Sequence, residues 1–290
     1  MSLEGRNYTR LFREAEELVA KVIMYALTLG VIALMLGIIG VIFTKGLPAL
    51  NWDMITKAPE GGYYFGKGGG VLNAIAGSLY IAGGGTFLAL LIGLPVALAL
   101  NVTMTGLART QTAIRLIMDV LWGIPSIVYG AFGYTIMIFF GYRASLLAGI
   151  FTIALLVAPI IVRAMDEALR SVPRGLHEAA ASLGANRTEI AYGIFVRQAL
   201  PGLVSALLLA FCRGIGDAAS VLFTAGFTDS IPTSLEHPAA TLPLAVFFQL
   251  GSHIPEVRER AYAAAVILTL IVLVFSIISR TLTSKGKWSN

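Results

Sequence analysis

Cysteine, histidine and charge are all scarce in this 290-residue chain, and each scarcity closes off a class of function. The single cysteine, Cys212, lies in an apolar stretch, so neither a disulfide framework nor a cysteine metal cluster can form within the chain. His177, His237 and His253 sit in separate polar segments, which argues against a shared metal site. With so few histidines and no nucleophile–base constellation, a membrane enzyme is disfavoured. Charged residues make up 13% of the chain against 57% hydrophobic, and the mean hydropathy is +0.82. That balance excludes an ordinary soluble domain. Residues 1–21 are charged and lack an apolar core, so no signal peptide is expected there.

Apolar runs are what the chain has in quantity. About 20 such residues cross ~30 Å of hydrocarbon, and spans are expected near 22–43, 78–100, 116–140, 146–165, 203–225 and 261–280. A shorter run, Thr241–Leu250, reads as a re-entrant or surface helix between the last two. The basic residues divide by side. Arg6, Arg10, Arg13 and Lys21, then Arg109 and Arg115, then Arg163, Arg170, Arg174, Arg187 and Arg197, and finally Arg280, Lys285 and Lys287 cluster in short segments on one side. Lys45, Lys57, Lys67, Arg143, Arg258 and Arg260 are spread over longer loops on the other. The positive-inside rule places both termini and the 171–201 loop in the cytoplasm. The pI near 9.4 is therefore a signal of membrane orientation and not of nucleic-acid binding.

The chain divides into an amphipathic cytoplasmic segment lying on the bilayer (1–21), a first span with its outer loop (22–65), a main transmembrane domain (66–281) and a tail (282–290). Gly61–Gly68 nearly spells a phosphate-binding G-x-x-x-x-G-K-[ST] loop, but position 68 is Gly and no strand precedes it. Gly66–Gly70 is expected to be a flexible turn leading into a span that starts near Asn73.

Three segments carry candidate chemistry. In 171–201, Ser171 is expected to cap a helix with Pro173 second, running through Leu176–Leu183 and ending at Gly184. Asn186 with Glu189 reads as a capping box for the next helix. In span five, Arg213 and Asp217 are four apart and are therefore expected to share one helix face. Ionised groups at that depth cost ~2.5–3.5 kcal/mol or more and are functional candidates by default, the alternative being a structural ion pair that welds helices. In span three, Gly123–Gly130 contains Pro125, which should kink the helix, with Ser126 and Tyr129 offering hydroxyls to an oxyanion. Kinking alone is an equal reading. Asp119 is expected to pair with a nearby arginine such as Arg115, Pro159 to kink span four, and Arg163 to snorkel.

Glu178-Ala179-Ala180, with Gly184 and then Ile194, resembles the EAA loop of binding-protein-dependent ABC importers. The family's Ile-x-Leu-Pro continuation is absent; Leu200–Pro201 comes later. GKGGGVLNAIAGS (Gly66–Ser78), GIPSIVYG (Gly123–Gly130), RGIGDAASVLFTA (Arg213–Ala225) and LPLAVFFQL (Leu242–Leu250) are similar, in this order, to motifs of the phosphate-specific importer permeases, PstA type. Asp217-Ala-Ala-Ser stands where that family has Glu-Thr-Ala-Pro. The resemblance implies an all-α membrane protein with six transmembrane helices and the type I ABC importer permease fold. It implies a pathway past Arg213 and Asp217, with Ser126, Tyr129 and Thr224 as further pathway residues, and ATPase coupling through Glu178, Ala179, Ala180 and Gly184. It also implies a sister permease (PstC-like), two copies of an ATP-binding subunit (PstB-like) that hold the Mg-ATP, and an external phosphate-binding protein (PstS-like). No cofactor or metal is expected on this chain itself, and its other neighbour is membrane lipid. Permeases for molybdate, sulfate or phosphonate, and an ion-driven carrier using Asp217, are the alternative functions.

Overall fold

The computed structural model describes residues 3–65 and 68–286, and it is helical almost throughout. Helix α1 (Leu3–Gly46) carries the charged N-terminal stretch and the first span as one helix, with no break near residue 21. A short α2 (Trp52–Thr56) and a single 3-10 turn, Tyr63–Phe65, follow on the loop after the first span. Helix α3 (Leu72–Leu98) passes into a π-helical turn, Ala99–Thr103. The third span is split into α4 (Ala108–Gly123) and α5 (Ser126–Phe139), bent by 94° at the break. Helix α6 (Leu146–Arg170) runs uninterrupted through Pro159, so the expected kink does not divide it. After α7 (Arg174–Ser182), the three-residue α8 (Arg187–Glu189) continues through a second π-helical turn, Ile190–Phe195, into α9 (Val196–Ile215). Helices α10 (Leu242–Leu250) and α11 (Pro255–Gly286) complete the chain. Among the described residues, five helical stretches are long and apolar enough to span, and the bent α4–α5 pair taken as one span makes six.

Packing without a hydrophobic drive needs close backbone approach, which small residues allow. Ala82, Gly85, Ala89, Gly93 and Ala97 recur at three- to four-residue spacing on α3, all buried. A Cβ at Gly85 or Gly93 would come within 2.5–2.6 Å of Ile153 or Ile161 on α6, so this pair of helices forms the densest part of the core. A second cluster forms a cap at one end of the bundle, where Met54, Tyr63 and Val71 pack against Leu242, Ala245 and Ala264. Arg260 lies 4.6 Å over the Tyr63 ring and donates to the Tyr63 carbonyl at 2.7 Å. Burial in this cap pushes the Tyr63 hydroxyl up to about 12.

The glycine-rich connection is firmer than its composition implies. Gly70, Val71 and Leu72 donate backbone hydrogen bonds to Ala58, Met54 and Lys57, fixing residues 68–72 against α2, while Gly66 and Lys67 lie outside the described residues. The run at Thr241–Leu250 is helix α10, capped by Thr241, with Leu242–Ala245 and Gln249 buried. Its first amide donates to Ser78 Oγ on α3 at 2.7 Å.

Candidate functional site

The 171–201 loop is built by local capping, with one departure from expectation. Ser171 does not open α7. Helix α6 extends to Arg170, so Ser171 falls in its last turn and donates to Ala168 O at 2.7 Å. Pro173 takes the N-cap position of α7, with φ −59° and ψ 129°. At the other end Gly184 adopts φ +84°, a conformation that costs a residue with a Cβ roughly 1–2 kcal/mol. Ala185 N donates to Ala180 O and Gly184 N to Ala181 O, the paired bonds of a Schellman motif. Asn186 and Glu189 exchange both bonds of a capping box, at 2.8 and 2.9 Å. The helix therefore projects Glu178 and Ala179 outward while Ala180 is buried against the bundle. Leu183, at the tip, is 89% exposed, an apolar knob that the sequence reading did not single out.

The span-five motif departs further from expectation. Helix α9 ends at Ile215, and Gly216 to Thr241 is non-helical, so the expected 203–225 span is not one helix. Gly214 rests on Ile153 and Val157, near the middle of α6, so the break lies at membrane depth. Non-helical backbone survives there only when covered by protein or lining a watery path. Here Ser220, Val221, Thr224 and Ala225 are all buried. Arg213 stands in the last turn of α9, where a cation complements the helix's carbonyl end. Its Nη1 donates to Asp217 Oδ2 at 2.5 Å, and Asp217 Oδ1 accepts from Ser220 N at 2.8 Å. The pair is thus present, although it bridges a helix end to a turn and does not lie along one helix face. Asp217 is 4% exposed at its side chain and Arg213 43%.

The two breaks meet. A Cβ on Gly130 of α5 would lie 2.7 Å from Ser220 O, and one on Gly133 would press on Thr152 and Thr224. Ser126 opens α5 just past Pro125 and is half-buried. The Tyr129 hydroxyl donates across the break to Leu121 O at 2.8 Å, so its proton is engaged within the chain. Thr224 is fully buried, its hydroxyl donating to Ser220 O at 3.4 Å within the turn.

Three other charged residues pair differently from expectation. Asp119 meets Arg163 at 3.2 Å, so Arg163 does not simply snorkel, and Arg115 grips Asp166 through Nε at 2.8 Å and Nη2 at 3.0 Å. Two rungs therefore join α4 to α6. Asp166 escaped the sequence reading; its signal was the same Arg-then-Asp order within one helical turn in Arg115…Asp119 and Arg163…Asp166.

Residues 85–285 match the family described as binding-protein-dependent transport system inner membrane component. An inward-facing structure of the MetNI methionine ABC transporter superposes with a TM-score of 0.59 at 24% identity, covering 74% of this chain and 95% of that one. The fold is that of a type I ABC importer permease, a multi-pass inner-membrane protein.

The phosphate transport system permease protein PstA of Haemophilus influenzae is 35% identical over 245 residues, 82% of this chain and 83% of its own length. That of Yersinia pestis is 31% identical over 288 residues, 98% and 96% of the two chains. The probable ABC transporter permease protein YqgI of Bacillus subtilis is 28% identical over 278 residues, 89% and 92%. The chain belongs to the PstA family of binding-protein-dependent transport permeases.

Proposed function

We propose that this chain forms half of the membrane pathway for inorganic phosphate in an ATP-driven importer. The observation that carries the reading is the mid-membrane end of α9, where a partly exposed Arg213 is held by an enclosed Asp217. Broken helices at mid-depth are where transporters place their substrate sites. Arg213 attracts the anion. Asp217 holds the guanidinium in place and offsets part of its charge, so the site stays weak enough to release what it binds. Ser126 and Tyr129, at the facing break, shape the pathway wall, and the buried Thr224 backs it from within the turn.

Coupling enters through Glu178, Ala179, Ala180 and Gly184, with Leu183 as the apolar contact on a separate ATPase. Two copies of that ATPase bind Mg-ATP, a sister permease supplies the other half of the pathway, and an external phosphate-binding protein delivers the anion. Both termini and the 171–201 loop face the cytoplasm. This orientation is tested in a Cys212→Ser background. Cysteines at Lys57 and Arg143 should react with an impermeant thiol reagent from outside, and cysteines at Arg109 and Arg187 should not. The substrate is tested by uptake of labelled phosphate in the reconstituted complex. Excess phosphate should compete, and molybdate and sulfate should not; preferential competition by either would reassign the oxyanion.

A further inference from the structure

We propose that Asp166 is a positioning residue that latches α4 to the bundle and relays motion of α7 to the broken third span, an inference that rests on reading the chain as an ATP-coupled permease. Among the described residues, those of α4 include no buried side chain. Its join to α5 is the 94° break. What fixes α4 is polar. Arg115 reaches Asp166 with two nitrogens, Asp119 meets Arg163, and Gln111 Nε2 donates to Leu100 O at 2.7 Å. Of the charged groups in these contacts only Asp166 is enclosed, at 1% exposure.

Asp166 also accepts Asn101 Nδ2 at 2.8 Å, from the π-helical turn that ends span two. π turns inside helices are uncommon and recur at functional positions. The last residue of this turn is tied to the coupling segment, because Arg187 Nη1 donates to Thr103 O at 3.0 Å. The second π turn is tied to α7 as well, since His177 sets its ring edge-on to Phe195 at 6.2 Å. Between α7 and the Asp166 node lies a polar cavity of about 540 Å³, bordered by Asn101, Gln111, Arg115, Arg170, His177 and Glu178. A polar path thus runs from Asp166 through the Asn101–Thr103 turn to Arg187, just beyond α7. Helix α7 itself meets the bundle through buried Ala180 and the His177–Phe195 contact beside the open space, so most of its length can shift without tearing a core.

The route onward is continuous. Arg115 moves α4, the Pro125 break passes the motion to α5, and Gly130 carries it to the Ser220 carbonyl beside Asp217. A weld alone is a poor reason for this carboxylate. Replacing a buried ion pair by apolar residues of similar volume is often neutral or stabilising, so stability does not require it. A carboxylate that gathers donors from two separate elements onto a third instead fixes their relative positions, with charge-assisted bonds of defined direction.

The test uses the assembled complex in proteoliposomes with its binding protein, comparing wild type with Asp166→Asn, which keeps the side-chain shape and one acceptor oxygen. Two quantities are read, phosphate imported per ATP hydrolysed and, in a Cys212→Ser background, the spin-label distance between Thr112 on α4 and Ser182 on α7. In the wild type that distance should differ between the nucleotide-free and vanadate-trapped complexes. Asp166→Asn should lower phosphate imported per ATP by about fivefold or more, the lower edge of ordinary site-to-site couplings. It should also shrink the change in distance by at least half. An unchanged ratio together with an unchanged distance response would overturn the proposal, even while the wild type imports phosphate normally. The distance response does not depend on the substrate, so a wild type that transports some other anion would sink the phosphate reading and leave this one standing or falling by the labels. Where Asp166→Asn does not assemble, Arg115→Lys, which keeps the charge and loses the two-pronged grip, is read by the same two criteria.

Discussion

Asp166 and Asp217 are both almost fully enclosed, at 1% and 6% exposure, yet they are held in opposite ways. Asp217 is held locally, by Arg213 four residues before it and by Ser220 N three after it. Asp166 is held from a distance, by Arg115 and Asn101, 51 and 65 residues away. The local site leaves its cation partly open, as an anion pathway needs. The distant site leaves little of either partner open and ties elements together. One arrangement suits binding and release, the other suits the transmission of motion.

Breaking the distant site should cost most. Arg115→Leu strands a buried carboxylate, and breaking one side of such a pair typically costs ~3–5 kcal/mol. We expect little assembled subunit in the membrane, measured by immunoblot, and a lowered melting temperature in detergent. The double change Arg115→Leu with Asp166→Leu should recover much of that stability while transport stays impaired. Recovery of transport as well would reduce Asp166 to a weld. The local site should give the reverse pattern. Arg213→Gln should abolish phosphate uptake, while the complex still assembles with a smaller fall in melting temperature than Arg115→Leu, because the glutamine amide can still donate to Asp217 and Ser220 N keeps its bond. Normal uptake by this variant would make the pair structural. Asp217→Asn should sit between these extremes, with the Ser220 bond retained but release slowed or ATP hydrolysis running without uptake. Asp217→Glu, which restores the acid usual in the family, should remain active. The smallest effect is expected at Asp119, whose pair with Arg163 is 45% and 35% exposed at the two side chains. Asp119→Asn should change stability by ~0–1 kcal/mol, read from the melting temperature, and leave uptake close to wild type. A loss as large as that of Arg115→Leu would mean that both rungs, and not Asp166 alone, hold α4.

The same contrast between local and distant ties explains what was legible in the sequence. Gly184 and the Asn186–Glu189 box were readable because caps are decided within four or five residues. Ser171 misled because Ser and Pro signal a helix start only where no earlier helix is still running, and α6 runs on to Arg170. The end of α9 was invisible to hydropathy, because Ala218–Ala225 is apolar enough to pass for a helix although it folds as buried turns. Arg115 and Asp119 are one helical turn apart and look like partners, but both turn to α6. Partner choice between helices depends on their relative rotation, which the spacing along one helix does not encode.

The most direct measurement concerns Gly184, where the fold leaves a single conformation open at φ +84°. A Cβ there has nothing within 4 Å to strike, so Gly184→Val strains the backbone turn without a clash in the core. The complex carrying this substitution should be assayed for subunit stoichiometry, for ATP hydrolysis stimulated by loaded binding protein, and for labelled phosphate uptake. We expect the permease to insert and pair with its sister subunit, with stimulated hydrolysis and uptake both lost. An assembled Gly184→Val complex that hydrolyses ATP and imports phosphate at the wild-type rate would contradict coupling through this helix.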